Sequence, residues 1–384
     1  MTSRRSLLST VGWLIMMAAC GRSGLDGRAA APSSADSGPD GARSQPESGI
    51  TFRPADSGGD ERPSSLVPIA ARWAPLTGRS VNEILVRGDE VWFAFSMPCT
   101  DCPTSPIRSD TPLSHGLAVS LASGEMRLFF GNGENGYRSL RMDRQGKLYA
   151  ALFGPDVLPG IVALDPLLTD GASLADLQSF CSGTIEEFVV DGDGTFWART
   201  FSLGLYECTG ASKIVHDASR PNPITTNLFG LALDSDGSKW IGLGYGPDNP
   251  PSLMRINGPL WQFIPLTSIP ELQALQEASP ECVDKKGNLW LSSSVAFLSD
   301  PGQPNLVRYN GSWATEGRGS LACDSRGVAW RFGADDLAYF DNGWHAVDVV
   351  LPANRTGPVD VYQRTLLIGT ASGVASFEDV IPAA

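Results

Sequence analysis

The chain lacks the patterns on which several large enzyme classes depend. Its 384 residues include only three histidines, at positions 115, 216 and 345, and they contain no G-x-S-x-G, H-E-x-x-H or phosphate-loop motif. A basic excess is also missing, because 29 Lys and Arg face 42 Asp and Glu and leave a net charge of −13. An acidic chain binds polyanions poorly. We therefore expect no nucleic-acid partner and a non-enzymatic role, with one enzymatic alternative described below.

No apolar run is long enough to cross a bilayer as a helix, which takes about 20 residues. The longest run, residues 7–19, follows Arg4 and Arg5 and ends at Cys20. This is the pattern of a secretory signal. Residues 17–20 resemble a lipobox, the signal at which bacterial lipoproteins are cleaved and acylated, although Met17 stands where Leu is usual. We expect residues 1–20 to form a lipoprotein signal peptide, with a lipid on Cys20 that anchors the protein in the cell envelope, at the outer membrane or cell surface.

Aromatic residues are almost absent from residues 21–65, where Phe52 is the single example. The same stretch holds 8 Gly, 5 Pro and 9 Ser. Such a composition buries too little apolar surface to offset the entropy of an ordered chain. The stretch is therefore expected to be a disordered linker between the lipid and a folded domain at residues 66–384.

A pattern of Asp, two residues, Gly, two residues and an aromatic recurs along that domain. Asp and Gly suit tight turns, so each copy predicts a hairpin whose second strand begins near the aromatic. Repeats of ~40–50 residues with short strands are typical of propeller blades. Five copies are clear, and two degenerate copies precede and follow them: Asp143–Tyr149, Asp191–Trp197, Asp234–Trp240, Asp284–Trp290 and Asp324–Trp330, with Val86–Trp92 first and Asp360–Leu366 last.

These copies predict an all-β, seven-bladed β-propeller, with six blades as the alternative. Residues 72–77 look like a lone outer strand before the first blade, whereas the last blade lacks such a strand. We therefore expect residues 72–77 to pair beside residues 374–377 and to close the ring.

The repeats resemble those of two-component-regulator-type propellers and, more loosely, those of streptogramin-lyase and gluconolactonase-like propellers. The first resemblance implies a binding domain outside the membrane. The second implies a metal-dependent lyase or lactonase whose carboxylates hold a divalent cation at the central channel. The lyase group uses a catalytic histidine, and none of the three histidines here falls on a predicted innermost strand.

Polar residues interrupt the apolar pattern near the start of several predicted innermost strands. They are Glu83, Arg138, Glu187 and Glu281, with Glu186 beside the third. Charged groups in such positions need partners or shifted pKa values, so we take them as a candidate channel site. We expect no cofactor, and a divalent metal in the channel remains the alternative.

Four connections between second and third strands are long, and all would project on one face of the ring. They span residues 97–113, 154–159, 244–251 and 296–304. Because loops on a rigid scaffold often bind ligands, Phe153, Tyr245 and Phe297 are candidate contacts for a protein, small-molecule or glycan partner.

Six cysteines remain once Cys20 is set aside, and an even number in an exported chain favours disulfides, with fifteen pairings open. They are Cys99, Cys102, Cys181, Cys208, Cys282 and Cys323. We expect Cys181 to pair with Cys208 inside the third blade. Cys282 and Cys323 fall on innermost strands of neighbouring blades, where the alternation of side chains allows them to meet.

Three further motifs have simpler explanations than ligand binding. Cys99, Cys102 and His115 would supply three ligands of a zinc site, but a structural zinc takes four and the chain offers no fourth at a suitable spacing. The Gly-rich residues 131–136 precede a strand, whereas a dinucleotide site needs a helix there. The acidic pairs that begin at Asp191 and Asp234 lack the distal Glu of a calcium loop and are explained as repeat turns.

Overall fold

The computed structural model describes residues 72–96, 115–130, 136–153, 160–168, 177–200, 203–210, 212–217, 227–244, 250–273, 275–293, 303–333 and 336–379. The side chains of His115, Phe130, Arg138, Leu152 and Phe153 are outside this description. No helix of the described ranges is long and apolar enough to cross a membrane.

Seven antiparallel sheets form a ring, which confirms the seven-bladed β-propeller. In the first three blades the strands are Ser80–Arg87 (β1), Glu90–Ser96 (β2), His115–Ser120 (β3), Met126–Phe130 (β4), Gly136–Met142 (β5), Leu148–Phe153 (β6), Ile161–Ala163 (β7), Ser179–Cys181 (β8), Ile185–Val190 (β9), Phe196–Thr200 (β10), Leu205–Thr209 (β11) and Ser212–His216 (β12).

The remaining four blades continue the same order. Their strands are Leu228–Leu233 (β13), Lys239–Leu243 (β14), Ser252–Asn257 (β15), Leu260–Pro265 (β16), Ser279–Val283 (β17), Leu289–Ser292 (β18), Leu306–Tyr309 (β19), Trp313–Gly317 (β20), Ser320–Cys323 (β21), Ala329–Phe332 (β22), Leu337–Phe340 (β23), Trp344–Val347 (β24), Arg355–Tyr362 (β25), Thr365–Thr370 (β26) and Gly373–Glu378 (β27). Short helical turns lie at Ala74–Leu76, Asp165–Leu168, Leu266–Ser268 and Pro270–Gln273.

The first strand of each blade is the innermost one. First strands of successive blades contact one another around the ring, and β25 contacts β1 where the ring closes. Apolar clusters fill the spaces between neighbouring blades, so both faces of most strands are buried. Four fully buried tryptophans, Trp92, Trp240, Trp290 and Trp330, stand at the aromatic position of the repeat.

The repeat aspartate joins the turn to that tryptophan. Asp284 accepts hydrogen bonds from the backbone N–H groups of Lys286 and Asn288, both at 2.9 Å, and from Trp290 Nε1 at 3.0 Å. Asp324 makes the same set of bonds, with Trp330 Nε1 at 3.1 Å. In blades 5 and 6 one carboxylate therefore satisfies the turn and orients the buried aromatic, whereas in blades 3 and 4 the turn N–H groups of Thr195 and Ser238 donate to Asp193 and Asp236.

Ring closure differs from the expectation. Blade 7 contains three strands among the described residues, and residues 72–77 form a 3-10 turn instead of its fourth strand. This turn lies beside β27, where the backbone N–H of Gly78 donates to Ser372 O at 2.9 Å. Trp73 and Leu76 are buried against blades 1 and 7. The prediction of strand pairing was wrong, because buried side chains, rather than a ladder of hydrogen bonds, hold this segment.

The last repeat was also misaligned. Asp360 lies inside β25 and pairs with Leu367, and the turn of this hairpin falls at Gln363 and Arg364. Asp360 is fully buried and accepts hydrogen bonds from Val86 N at 2.8 Å and Ser325 Oγ at 2.9 Å. Its carboxyl group therefore links blade 7 to blades 1 and 6 and has no role in the turn.

Two disulfides are present in the described part of the chain. Cys282 and Cys323 join the innermost strands of blades 5 and 6, with Cα atoms 6.1 Å apart, which confirms the parity argument. Cys181 and Cys208 also pair, with Cα atoms 5.7 Å apart. Cys181 lies on β8, however, so the bond joins blade 2 to blade 3 instead of lying within blade 3. Such bonds form in oxidising compartments, which indicates an exported protein.

Candidate functional site at the central channel

The innermost strands of blades 1 to 5 share an irregularity in pairing that the sequence pattern did not show. Each of these strands contains a one-residue β-bulge, and the extra residues are Asn82, Arg138, Glu186, Gly230 and Glu281. A bulge re-aims a side chain and disturbs the strict alternation of a strand. Four of the five extra residues are polar or charged. Two of them, Glu186 and Glu281, are carboxylates of the channel, whereas the side chain of Arg138 lies outside the described residues.

Gly230 is the exception among these residues, and its position explains why. It adopts a φ of +56°, and a Cβ atom there would lie 2.3 Å from the carbonyl oxygen of Pro280 on the next blade. Glycine therefore allows blades 4 and 5 to approach closely beside the channel.

Arg141 is the central cation of the channel wall. Its Nη1 lies 3.2 Å from Oε1 of Glu83 on blade 1, and its Nη2 lies 3.3 Å from Oε1 of Glu187 on blade 3. One guanidinium group on blade 2 thus holds two carboxylates on the neighbouring blades. The structure brings Glu83 and Glu187 together through a residue that the sequence analysis did not select. The sequence did contain a signal for Arg141: it is charged at the position two residues before the repeat aspartate, which is apolar in most other repeats.

Arg199 is a second cation that the sequence analysis missed. It forms an ion pair with Glu186, and its Nε lies 3.6 Å from Oε2 of Glu187. Its Nη1 also donates to the carbonyl oxygen of Leu228 on blade 4 at 3.0 Å. Glu187 therefore has a guanidinium group on each side, supplied by β5 and β10.

Glu281 differs from the other three carboxylates. It accepts a hydrogen bond from the hydroxyl of Ser292, and no ion pair of Glu281 occurs within the described ranges. It is close enough to Glu187 for the two charges to interact. Four carboxylates thus face two guanidinium groups, and the described lining carries a net negative charge when all of them are ionised.

Burial raises the pKa of Glu83 from 4.5 to about 7, and the partly opposing effect of Arg141 does not cancel this shift. Burial also raises the pKa of Glu187, with Glu281 and Glu186 acting in the same direction and Arg199 and Arg141 against it. The side chain of Glu83 is 27% exposed, because it meets the solvent of the channel while protein surrounds it. A carboxyl group with this pKa exchanges its proton near neutral pH.

The carboxylates are separated by guanidinium groups rather than gathered at one point. Among the described residues, no group of three or more His, Cys, Asp or Glu side chains is arranged to hold a metal ion. The positions of Glu83, Glu187 and Glu281 on blades 1, 3 and 5 instead spread negative charge around the ring.

Several candidate residues lie outside the described structure. They are Cys20, Cys99, Cys102, Tyr245 and Phe297, together with the side chains of Arg138 and Phe153.

The strands that flank the long connections are described, and β2, β6, β14 and β18 all run away from the hairpin turns of their blades. The described ends of these four strands therefore lie on the face opposite those turns, and most of each connection lies outside the described residues.

Comparison with known proteins supports the fold. No protein-family model and no curated protein sequence matches the chain. Among solved structures, virginiamycin B lyase from Staphylococcus aureus is similar at a TM-score of 0.53 and 10% identity, over 78% of this chain and 94% of that one.

The extracellular domain of a hybrid two-component system from B. thetaiotaomicron is similar at a TM-score of 0.50 and 15% identity, over 78% of this chain. The match covers 39% of that protein's length. A gluconolactonase from Xanthomonas campestris also aligns, at a TM-score of 0.38 and 11% identity over 78% of this chain and 87% of that one. The two structures with TM-scores of 0.50 and 0.53 confirm, at the level of the fold, the propeller resemblance that the repeats indicated.

Proposed function

We propose that this protein is an exported, lipid-anchored binding module whose propeller takes a positively charged ligand at the mouth of the central channel. The observation that carries the proposal is the spread of four carboxylates around the channel, where the described side chains supply two guanidinium groups. This arrangement leaves negative charge at Glu281, whose partner is a hydroxyl group. A cationic group that replaces water there gains Coulomb energy in a site of lowered dielectric.

The channel acids give the proposal a pH dependence. Burial raises the pKa of Glu83 to about 7, so part of this group is protonated at neutral pH when no ligand is bound. A cation binds the ionised form more tightly, and it therefore releases protons. Affinity should increase as the pH rises from 6 to 8 and then level off.

Isothermal titration with spermidine as the cationic probe tests this proposal. We expect saturable binding to the full chain, tighter at pH 8 than at pH 6, and weaker binding by roughly tenfold in Glu281→Gln, as expected for loss of one nearby charge. Glu271→Gln, on the short helix beside blade 5, is the control and should bind as the unaltered chain does. Equal binding by the two variants would contradict the channel site.

The alternative is a metal-dependent lyase or lactonase at the same channel. It is favoured by the carboxylates on the innermost strands and by the pKa of Glu83, which suits a general acid or base. Calcium titration and an assay of δ-gluconolactone hydrolysis distinguish the two. Calcium-dependent hydrolysis that Glu83→Gln abolishes would replace the binding proposal.

A further inference from the structure

The two disulfides both join neighbouring blades, but their surroundings differ. Cys181 and Cys208 are 1% and 0% exposed and lie in the aromatic and aliphatic cluster between blades 2 and 3. Cys282 and Cys323 are partly exposed. A thiolate must reach a disulfide sulfur to react with it, so access separates an inert bond from a reactive one.

The central channel is the source of this exposure. All four residues of β21 are partly exposed, and so are four of the five residues of β17. The next strand of blade 5, β18, is buried along its whole length. Neighbouring blades cover both faces of β17 and β21. The part of each strand that solvent reaches is therefore the edge that borders the channel.

The channel also gives this disulfide a charged neighbour. Glu281 is the bulged residue directly before Cys282 and has no ion pair among the residues that the structure describes. An anionic reagent that approaches the bond is repelled by the charge of Glu281, whereas the ammonium group of an aminothiol is attracted by it.

We propose that Cys282–Cys323 is a thiol–disulfide exchange site open to the central channel, and that cationic aminothiols are the reagents that it takes. The sulfur of an aminothiol thiolate attacks one cysteine sulfur, the S–S bond breaks, and the other cysteine leaves as a thiolate. A second aminothiol attacks the mixed disulfide and releases the oxidised aminothiol. Two thiols supply the two electrons, and solvent supplies the protons that the cysteine thiolates take up.

The reaction does not require the ring to open. Blades 5 and 6 are also joined by the hydrogen bond from Lys285 N to Gly327 O at 2.8 Å and by the ion pair of Lys286 with Asp341. These contacts lie at the hairpin turns and remain when the disulfide is reduced.

The experiment uses the folded full chain in detergent, with cysteamine and 2-mercaptoethanesulfonate compared at equal thiolate concentration. Samples are alkylated at intervals and mapped by mass spectrometry, and near-UV circular dichroism checks that the fold is intact. We expect Cys282–Cys323 to open at least about tenfold faster than Cys181–Cys208, because access limits the exchange. At low salt, cysteamine should react roughly fivefold faster than the sulfonate, and high salt should remove this preference.

Two variants separate the charge from the hydrogen bond. Glu281→Gln should lower the preference for cysteamine, whereas Ser292→Ala removes the hydroxyl partner, keeps the charge and should retain the preference. Equal rates at the two disulfides overturn the proposal. Equal rates with the two thiols at low salt overturn it as well, because they exclude a route past the channel carboxylates.

Discussion

Arg141 connects three blades through one guanidinium group, between Glu83 and Glu187. Arg141→Met leaves these two carboxylates in the channel wall without their shared cation. We expect a loss of about 3–5 kcal/mol in the free energy of unfolding at pH 8, which is the usual cost of removing one partner from a buried pair. The side chains are 17–29% exposed, so the lower end of that range applies.

The loss should be smaller at pH 6, because the carboxyl group of Glu83, whose pKa is about 7, takes up a proton as the pH falls. The pKa values of Glu83 and Glu187 are raised in the folded state, so the folded chain binds protons more tightly than the unfolded chain and is favoured as the pH falls. Urea unfolding at both pH values measures this difference. Arg127→Met, which breaks an exposed pair with Glu125, is the control and should cost less than about 1 kcal/mol.

Asp360 provides a second pH-dependent group at the residue scale. Burial, and then the charge of Asp324, raise its pKa from 3.8 to about 7. Protonated Asp360 therefore makes its whole stabilising contribution to the free energy of unfolding below pH 4. This contribution is lost as the pH rises to 7. Asp360→Asn should flatten the decline in stability between pH 5 and 7, while Glu83 maintains a smaller slope. Asp341→Asn, whose pKa is lowered in the folded state, should leave the slope in this window unchanged.

At the scale of the element, the hairpins of blades 5 and 6 each depend on one carboxylate. Asp284 is 7% exposed and also accepts from Asn288 Nδ2 at 2.7 Å, in addition to the turn and Trp290. Asp284→Ala leaves several donors unsatisfied and should lower the free energy of unfolding by roughly 3 kcal/mol or more. Asp379→Ala, in an exposed pair with Arg364, should change it by less than about 1 kcal/mol. Equal effects in urea unfolding would refute this account of the motif.

The clear copies of the repeat predicted their hairpins correctly, and the degenerate last copy did not. The turn and the buried aromatic lie within six residues of each other, so a single copy contains the whole motif. The degenerate last copy predicted the hairpin turn of blade 7 at the wrong residues, because the chain there reverses direction at Gln363 and Arg364 without a turn aspartate. Asp360 resembled a turn residue in sequence while its partners lie on other blades.

At the scale of the whole molecule, Arg72 holds the ring closed. Its guanidinium group donates to Ser120 Oγ at 2.6 Å and to the hydroxyl of Tyr362 at 3.1 Å, and it lies 4.8 Å from the centre of the Tyr362 ring. Arg72→Ala should lower the free energy of unfolding by roughly 3 kcal/mol. Hydrogen exchange should increase in β25–β27 and remain unchanged in β13–β16. Arg79→Ala, which removes a cation–π contact with the buried ring of Phe95 on blade 1, is the matched control and should preserve protection in blade 7.

The proposed tether is tested at the same scale. Cys20→Ala removes the site of acylation and should move the protein from the membrane fraction to the soluble fraction. Cys99→Ala, a cysteine substitution outside the lipobox, should leave it with the membranes. If Cys20→Ala still sediments with membranes, the protein is not held there by a lipid on this residue.

The sequence by itself determined the blade count and showed that Cys282 and Cys323 can meet, because hairpins are local and strand parity follows from residue number. Tertiary structure decided the channel site. Arg141 meets Glu83 and Glu187 across 58 and 46 residues, and bulges at Arg138 and Glu186 break the alternation that would have placed these groups. Arg72 meets Tyr362 across 290 residues. No short pattern contains such contacts, since they arise only when seven blades pack around a common axis.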